Sequence, residues 1–304
     1  MPHDHAHDHG PPPDAGNAFA IGVLLNTAIV VLEVVYGLTA HSVALLADAG
    51  HNFGDVLGLA LAWGAAWLAK RKPTKTHTYG LRRATILSAL ANAIVLLLAT
   101  GGVAWESFGR LRAPGAVETD AVVVVAGLAL VANGASAALF FRGGKRDINV
   151  RSAFLHLAAD AATSLGVVVT ALAIGRTGWF WLDPVAALVV SALILVSTWS
   201  VLRKALNMAL DAVPHDLELD AVRAYLAGLP GVAEVHDLHV WGMSSTETAL
   251  TAHLVLVEGT VLEPCFLRDL ARAMHATFEI GHTTVQIELP AEAEPCSLAP
   301  DEVV

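Results

Sequence analysis

Two apolar stretches of the sequence each carry a histidine and an aspartate at the same spacing: His51 with Asp55, and His156 with Asp160. On a helix, side chains four residues apart lie about 40° from one another on one face, one turn above the other. Two such faces turned together present two imidazoles and two carboxylates, which is the ligand number and type of tetrahedral zinc. Helix packing in a bilayer uses Ser, Asn or a single His. It has no need of paired carboxylates, and each Asp at the centre of a membrane helix costs about 2.5 to 3.5 kcal/mol on insertion scales. Two Asp⁻, two neutral His and one Zn²⁺ sum to zero, so the filled site can sit in a low dielectric. Without metal, the same groups must take up protons or stand as buried anions. Competition between metal and protons for one site is the physical basis of exchange, provided that the site opens to each side of the membrane in turn. Asp48, in the same stretch as His51, stands outside the four-ligand set as a supporting acceptor, a lining residue or a further ligand.

The elements that must hold these residues are membrane helices. Hydrophobic residues make up 55% of the 304 and charged residues only 15%, and the mean hydropathy is positive. That balance is wrong for a soluble globule of this length. Six stretches can cross a hydrocarbon core of about 30 Å, which takes roughly 20 helical residues. They lie near Phe19 to Leu38, Val43 to Leu68, Ala84 to Trp105, Ala121 to Phe141, Arg151 to Ile174 and Asp183 to Val201. The second-to-third connection carries Lys70, Arg71, Lys72, Lys75, Arg82 and Arg83, and the fourth-to-fifth carries Arg142, Lys145, Arg146 and Arg151. The opposite side has Arg110, Arg112 and Arg176. The positive-inside rule therefore puts the first group and both termini in the cytoplasm; the expected location is the plasma membrane of a bacterium.

From residue 205 to 290 charges become regular and no stretch is long enough to span. The pattern there predicts helix (Leu217 to Ala227), strand (Val232 to Trp241), strand (Thr246 to Val257), helix (Glu263 to Thr277) and strand (Thr283 to Leu289), an αββαβ cytoplasmic domain. Residues 17–204 form the six-helix domain, residues 1–16 a disordered His-rich tail and residues 291–304 a C-terminal tail. In the first tail His3, His5, His7 and His9 alternate with small and acidic residues, and Pro11-Pro12-Pro13 follows as a linker. Such a tract can capture metal loosely. With no Lys or Arg ahead of the first apolar stretch to make a signal peptide, that stretch is expected to stay in the membrane. Cys265 and Cys296 form no CxxC pair, so neither a disulfide framework nor a redox motif is implied. A net charge of −10 with no basic stripe excludes nucleic acid as a partner.

Several motifs resemble those of the cation diffusion facilitators. Ser42-Val43-Ala44-Leu45-Leu46-Ala47-Asp48-Ala49-Gly50-His51-Asn52-Phe53-Gly54-Asp55 is similar to that family's second-span signature, Tyr79-Gly80-Leu81-Arg82-Arg83 with Ile86-Leu87-Ser88-Ala89-Leu90 to the start of its third span, and His236-Asp237-Leu238-His239-Val240-Trp241 to a strand of its cytoplasmic domain. The resemblance runs from about Asn17 to Leu289. It implies six spans, a cytoplasmic domain like that of small copper chaperones, a homodimer in the bilayer, and proton-driven efflux of Zn²⁺ and related divalent ions. The family's transport site falls on His51, Asp55, His156 and Asp160, and all four match. A regulatory metal site is implied at His236, His253 and Glu288, with Cys265 close to where another ligand would be, while Gln286 replaces a histidine found in some members. His77 occupies one ligand position of a loop site. Leu81 stands where some members have a second His, which argues against a complete site there.

Three other functions fit less well. An exporter of organic cations has no reason to match each Asp with a His and wants an aromatic-lined cavity. An intramembrane protease needs His-Glu-x-x-His and an open coordination position for water, and neither is present. A metal sensor without transport would show no uptake into sealed vesicles. Zn²⁺, Co²⁺ and Cd²⁺ all accept nitrogen and oxygen donors in tetrahedral geometry.

Overall fold

The computed structural model describes residues 15–141 and 148–289. The His-rich tract before residue 15, the loop residues Arg142, Lys145 and Arg146, and the C-terminal tail with Cys296 lie outside the described residues. Six long helices come first: α1 (Ala15–Thr39), α2 (Val43–Ala69), α3 (Ala84–Arg112), α4 (Thr119–Phe141), α5 (Ile148–Thr177) and α6 (Leu182–Ala209). By length and hydropathy alone, α3, α4, α5 and α6 suffice to cross a membrane. Helix α2 has 27 residues, ample for a crossing, but Asp48, His51, Asn52 and Asp55 lower its hydropathy. The side chains that would bind metal are thus what weakens its signal as a span.

The helices outrun the expected spans at several ends. Helix α3 continues from Trp105 to Arg112, where Arg110 and Arg112 in its last turn complement the negative end of the helix dipole. Helix α6 continues to Ala209, so the boundary expected at residue 204 falls inside a helix. Hydropathy reports where lipid ends, whereas a helix ends only where its backbone is stopped.

The described chain divides into two compact units, Met1–Ala60 with Asn92–Trp199 and Leu61–Ala91 with Ser200–Val304. In the first, Val43, Ala44, Leu45 and Ala47 of α2 are buried against Val122, Val125 and Ala126 of α4, Val167 and Ala171 of α5, and Ala187, Val190 and Ile194 of α6. Small residues at these contacts let helix backbones approach closely, which is how helices associate where lipid is as apolar as leucine. At Gly54 a Cβ would stand 2.8 Å from Leu96 Cδ1, so α2 and α3 meet there only because the residue before Asp55 has no side chain.

The start of α2 is pinned from another helix. Asp183 at the beginning of α6 accepts hydrogen bonds from Ser42 Oγ at 2.5 Å, Val43 N at 2.7 Å and Ala44 N at 3.4 Å. Ser42 Oγ in turn accepts from Leu45 N at 3.1 Å, the usual N-cap bond. A carboxylate facing the positive end of a helix is also favoured by its dipole.

The second unit contains the C-terminal domain: α7 (Leu219–Ala227), β1 (Val232–Gly242), β2 (Thr248–Leu256), α8 (Phe266–Phe278) and β3 (Ile280–Glu288). This is the αββαβ order expected. The sheet order is β1-β2-β3, with β1 antiparallel and β3 parallel to β2. Alternating Leu250, Ala252 and Leu254 of β2 bury one face against Val222 and Leu226 of α7 and Leu270 and Met274 of α8. On β1 the alternation slips: Val235 and then Leu238 and Val240 reach that core, two residues instead of one separating the first two. The pairing slips there too, His236 facing His253 while His239 faces Thr251. This β-bulge holds one extra residue on β1, and Asp237 within it has φ +48°. In the same unit, Arg82 pairs with Glu247 at 2.6 Å, Arg83 pairs with Asp211, and Ser245 N donates to Thr85 Oγ1 at 3.0 Å.

Candidate functional site

Helices α2 and α5 bring the two His-xxx-Asp pairs together. His51 Nε2 lies 3.0 Å from Asp160 Oδ1. His156 Nε2 lies 3.4 Å from Asp55 Oδ2 and 3.6 Å from Asp160 Oδ2. Each histidine therefore faces a carboxylate of the opposite helix, and the imidazole rings meet edge to face with centroids 6.2 Å apart. His51, Asp55 and Asp160 each offer a donor atom within 4.8 Å of the other two. His156 stands at the rim, its side chain half-exposed, while Asp160 is buried at the centre. Asp55 Oδ2 is buried and makes no hydrogen bond, its 3.4 Å approach to His156 Nε2 being an ion-pair contact, so it is an oxygen of the kind that a cation satisfies.

Supporting groups continue from this cluster. Asp48, three residues before His51, is fully buried and accepts from Ser164 Oγ at 2.8 Å. Ser164 lies one turn beyond Asp160, so α2 and α5 are joined a second time by residues next to the site. Glu33 of α1 is also fully buried, and Asn52 Nδ2 donates to both its oxygens at 3.2 and 3.0 Å. The sequence reading missed Glu33. The signal was present, a carboxylate in the middle of the first span, but no histidine partner at i−4 drew attention to it.

A second cluster lies on the sheet face opposite the C-terminal core. His236 of β1 and His253 of β2 face each other in register, with ring centroids 5.2 Å apart. Glu288 of β3 meets both: Oε2 is 3.1 Å from His236 Nε2, and Oε1 is 2.8 Å from His253 Nδ1. The three offer donor atoms within 4.8 Å of one another. His236 Nδ1 and His253 Nδ1 are both buried without a hydrogen bond, so the 2.8 Å approach to Glu288 lacks hydrogen-bond alignment. His236 Nε2 and Glu288 Oε2 are hydrogen-bonded at 3.1 Å, so in this cluster it is His253 Nδ1 that faces Glu288 without a hydrogen bond. Gln286, where the family resemblance suggested a missing ligand, donates from Nε2 to Glu288 Oε1 at 3.0 Å.

Two expected site residues fall elsewhere. Cys265 does not join the histidines in any metal-capable group among the described residues. It is a half-buried free thiol at the N-cap position of α8. Proximity in sequence to a ligand position put it in the set, but the helix start holds it away. His77 is exposed in the loop before α3, where Thr76 Oγ1 lies 3.1 Å from its Nδ1, and it too joins no such group among the described residues. One residue absent from the expected set does reach the cluster: Asp237 Oδ1 is 2.8 Å from His239 Nε2, and its Oδ2 is 3.3 Å from His253 Nε2.

Comparison with known proteins covers both units. Residues 19–208 match the family model described as the cation efflux transmembrane domain, and residues 214–290 match that of the cation efflux protein cytoplasmic domain. The metal cation efflux system protein CzcD of Cupriavidus metallidurans is 35% identical over 97% of this chain and 92% of that protein. The zinc transporter ZitB of Escherichia coli is 34% identical over 98% of this chain and 96% of its own length. A cadmium, cobalt and zinc/H(+)-K(+) antiporter of Bacillus subtilis is 30% identical over 89% of this chain and 88% of that protein. Among solved structures, the metal-bound C-terminal domain of the CzcD transporter from Cupriavidus metallidurans shares 34% identity over 24% of this chain and all of that one, with a TM-score of 0.23.

Proposed function

The chain belongs to the cation efflux family, and from that premise we propose that it exports Zn²⁺ from the cytoplasm in exchange for protons, through a site made by His51, Asp55, His156 and Asp160. It is a multi-pass membrane transporter of divalent metal cations rather than an enzyme. The observation that carries the finer reading is the convergence of the two His-Asp pairs across α2 and α5, with Asp160 buried between the histidines. Zinc bound there is neutralised by two carboxylates, and both imidazoles must be deprotonated to bind it. When zinc leaves, protons replace it on the donor atoms, because the buried carboxylates cannot stand uncompensated. Alternating exposure of that site then couples metal moving outward to protons moving inward.

Positive charge on the second-to-third loop supports cytoplasmic termini, so the C-terminal domain faces the compartment from which metal is taken. The match of that domain to a dimer-forming family module supports a homodimer. Its cluster of His236, His253 and Glu288 serves as a regulatory metal site, and the names of the relatives support cadmium and cobalt as further substrates. The experiment is zinc uptake into sealed inside-out vesicles with an imposed pH gradient. Uptake should collapse when the gradient is dissipated and be lost in Asp55→Ala and Asp160→Ala. Uptake that is indifferent to the gradient refutes proton exchange; full uptake in both variants refutes the site.

A further inference from the structure

On the reading that His236, His253 and Glu288 bind metal, we propose that Asp237 is a positioning residue for that site, holding His253 in the tautomer that offers Nδ1 to the ion. In a regular strand Asp237 would point opposite to His236. The bulge between His236 and His239 cancels that alternation, and the left-handed backbone at Asp237, φ +48°, turns its carboxylate back to the side of the sheet where His253 lies. Asp is one of the few residues with a side chain that adopt this conformation readily. The result is a carboxylate oxygen 3.3 Å from His253 Nε2 while His253 Nδ1 stands 2.8 Å from Glu288 Oε1.

The arrangement decides between two tautomers. With Glu288 as the only carboxylate beside the ring, its charge would favour the proton on Nδ1, the atom that must be bare to ligate, even though the 2.8 Å contact is not aligned as a hydrogen bond. Asp237 offers a second acceptor at the other nitrogen, so the proton rests on Nε2 and the Nδ1 lone pair faces Glu288 and His236. A metal-bound histidine usually gives its other N–H to a carboxylate or carbonyl in this way, and loss of that partner typically costs 10- to 100-fold in metal affinity. The other oxygen of Asp237 is held by His239 Nε2 at 2.8 Å, which fixes the carboxylate in turn.

The test uses the full chain in lipid nanodiscs, with Asp55→Ala and Asp160→Ala added to silence the intramembrane site, and Zn²⁺ alone as the probe. Asp237→Gly removes the carboxylate and relaxes the backbone it occupies, so the fold is not endangered. Asp237→Asn keeps the left-handed conformation and one acceptor oxygen. The Gly variant should bind zinc about 10- to 100-fold more weakly, with Asn recovering part of the loss. In zinc-loaded samples with nitrogen-labelled histidine, the parent should show His253 ligating through Nδ1 with a protected Nε2–H, and the Gly variant should lose that protection. Unchanged affinity in Asp237→Gly, or weakened affinity with an unchanged His253 signature, overturns the orienting role and leaves the metal site standing. If His236→Ala and His253→Ala abolish no zinc binding in the parent, the metal site falls and this inference with it.

Discussion

Asp160→Asn is the most informative single change in the intramembrane site. Asn has nearly the same shape, so α5 should keep its packing, but the charge and one anionic oxygen are gone. Asp160 is 4% exposed and lies within ion-pair distance of both histidines, at 3.0 and 3.6 Å. With zinc bound, the variant site carries an uncompensated positive charge in a buried setting, since one carboxylate now faces a divalent ion. Losing an outer partner of a ligand costs about 10- to 100-fold in affinity, so losing a direct anionic ligand should cost at least about 100-fold, or roughly 2.7 kcal/mol. At a zinc concentration equal to the parent's dissociation constant, occupancy then falls from one half to about 1%. Calorimetric titration of the purified chain with His236→Ala and His253→Ala in the background isolates this site, and vesicle uptake reads the consequence. His156→Ala should be milder, because that residue sits half-exposed at the rim. Zinc binding within about threefold of the parent in Asp160→Asn, a difference of about 0.6 kcal/mol, would show that the buried carboxylate does not touch the ion.

Three further outcomes follow from the same geometry. His51→Asp should retain some transport and shift preference toward Mn²⁺, as an added carboxylate raises negative charge and hardness; competition uptake with paired metals tests this, and an unchanged ranking removes His51 from the ligand set. Zinc affinity of the intact chain should fall as pH is lowered from about 8 to about 5.5, because protons occupy the donors of the metal-free site and not those of the filled one; flat affinity across that range contradicts proton competition. Asp183→Ala should destabilise the chain by about 1 to 3 kcal/mol, the usual cost of leaving buried donors without their acceptor, read as a lower unfolding midpoint in detergent. A midpoint within a degree of the parent's would mean that Ser42 and the start of α2 find other partners.

The membrane helices and the small α+β domain were legible because their signals are strong and local. Long apolar runs admit one solution in lipid, and alternation along β2 shows which face of the C-terminal sheet is buried. Boundaries were less legible, since α3 and α6 run past the apolar stretches into Arg110, Arg112, Arg203 and Lys204. Long basic side chains at a helix end reach toward water while their backbone stays helical. Nor does sequence show that Asp183, 140 positions from Val43, caps α2. Capping of that kind depends on which helix ends the fold brings together.

Site residues divided along a different line, the cost of placing them. In a span, a carboxylate is so expensive that its presence is itself a functional signal, and a histidine at i−4 raises it above packing. His51, Asp55, His156 and Asp160 were singled out that way as candidates, and Glu33 was passed over for want of a partner nearby in sequence. In the C-terminal domain a histidine or aspartate costs little at a surface, so composition cannot distinguish Asp237 from any solvated acid. Its role arises from a one-residue slip in strand pairing, which turns its side chain to the face that carries His253. Cys265 fails for the converse reason: a plausible ligand type near a plausible position, it is held at a helix start by backbone geometry that its own chemistry does nothing to determine. Donor chemistry alone therefore nominates a candidate metal site in lipid, whereas in water-exposed structure the register of the strands must be known as well.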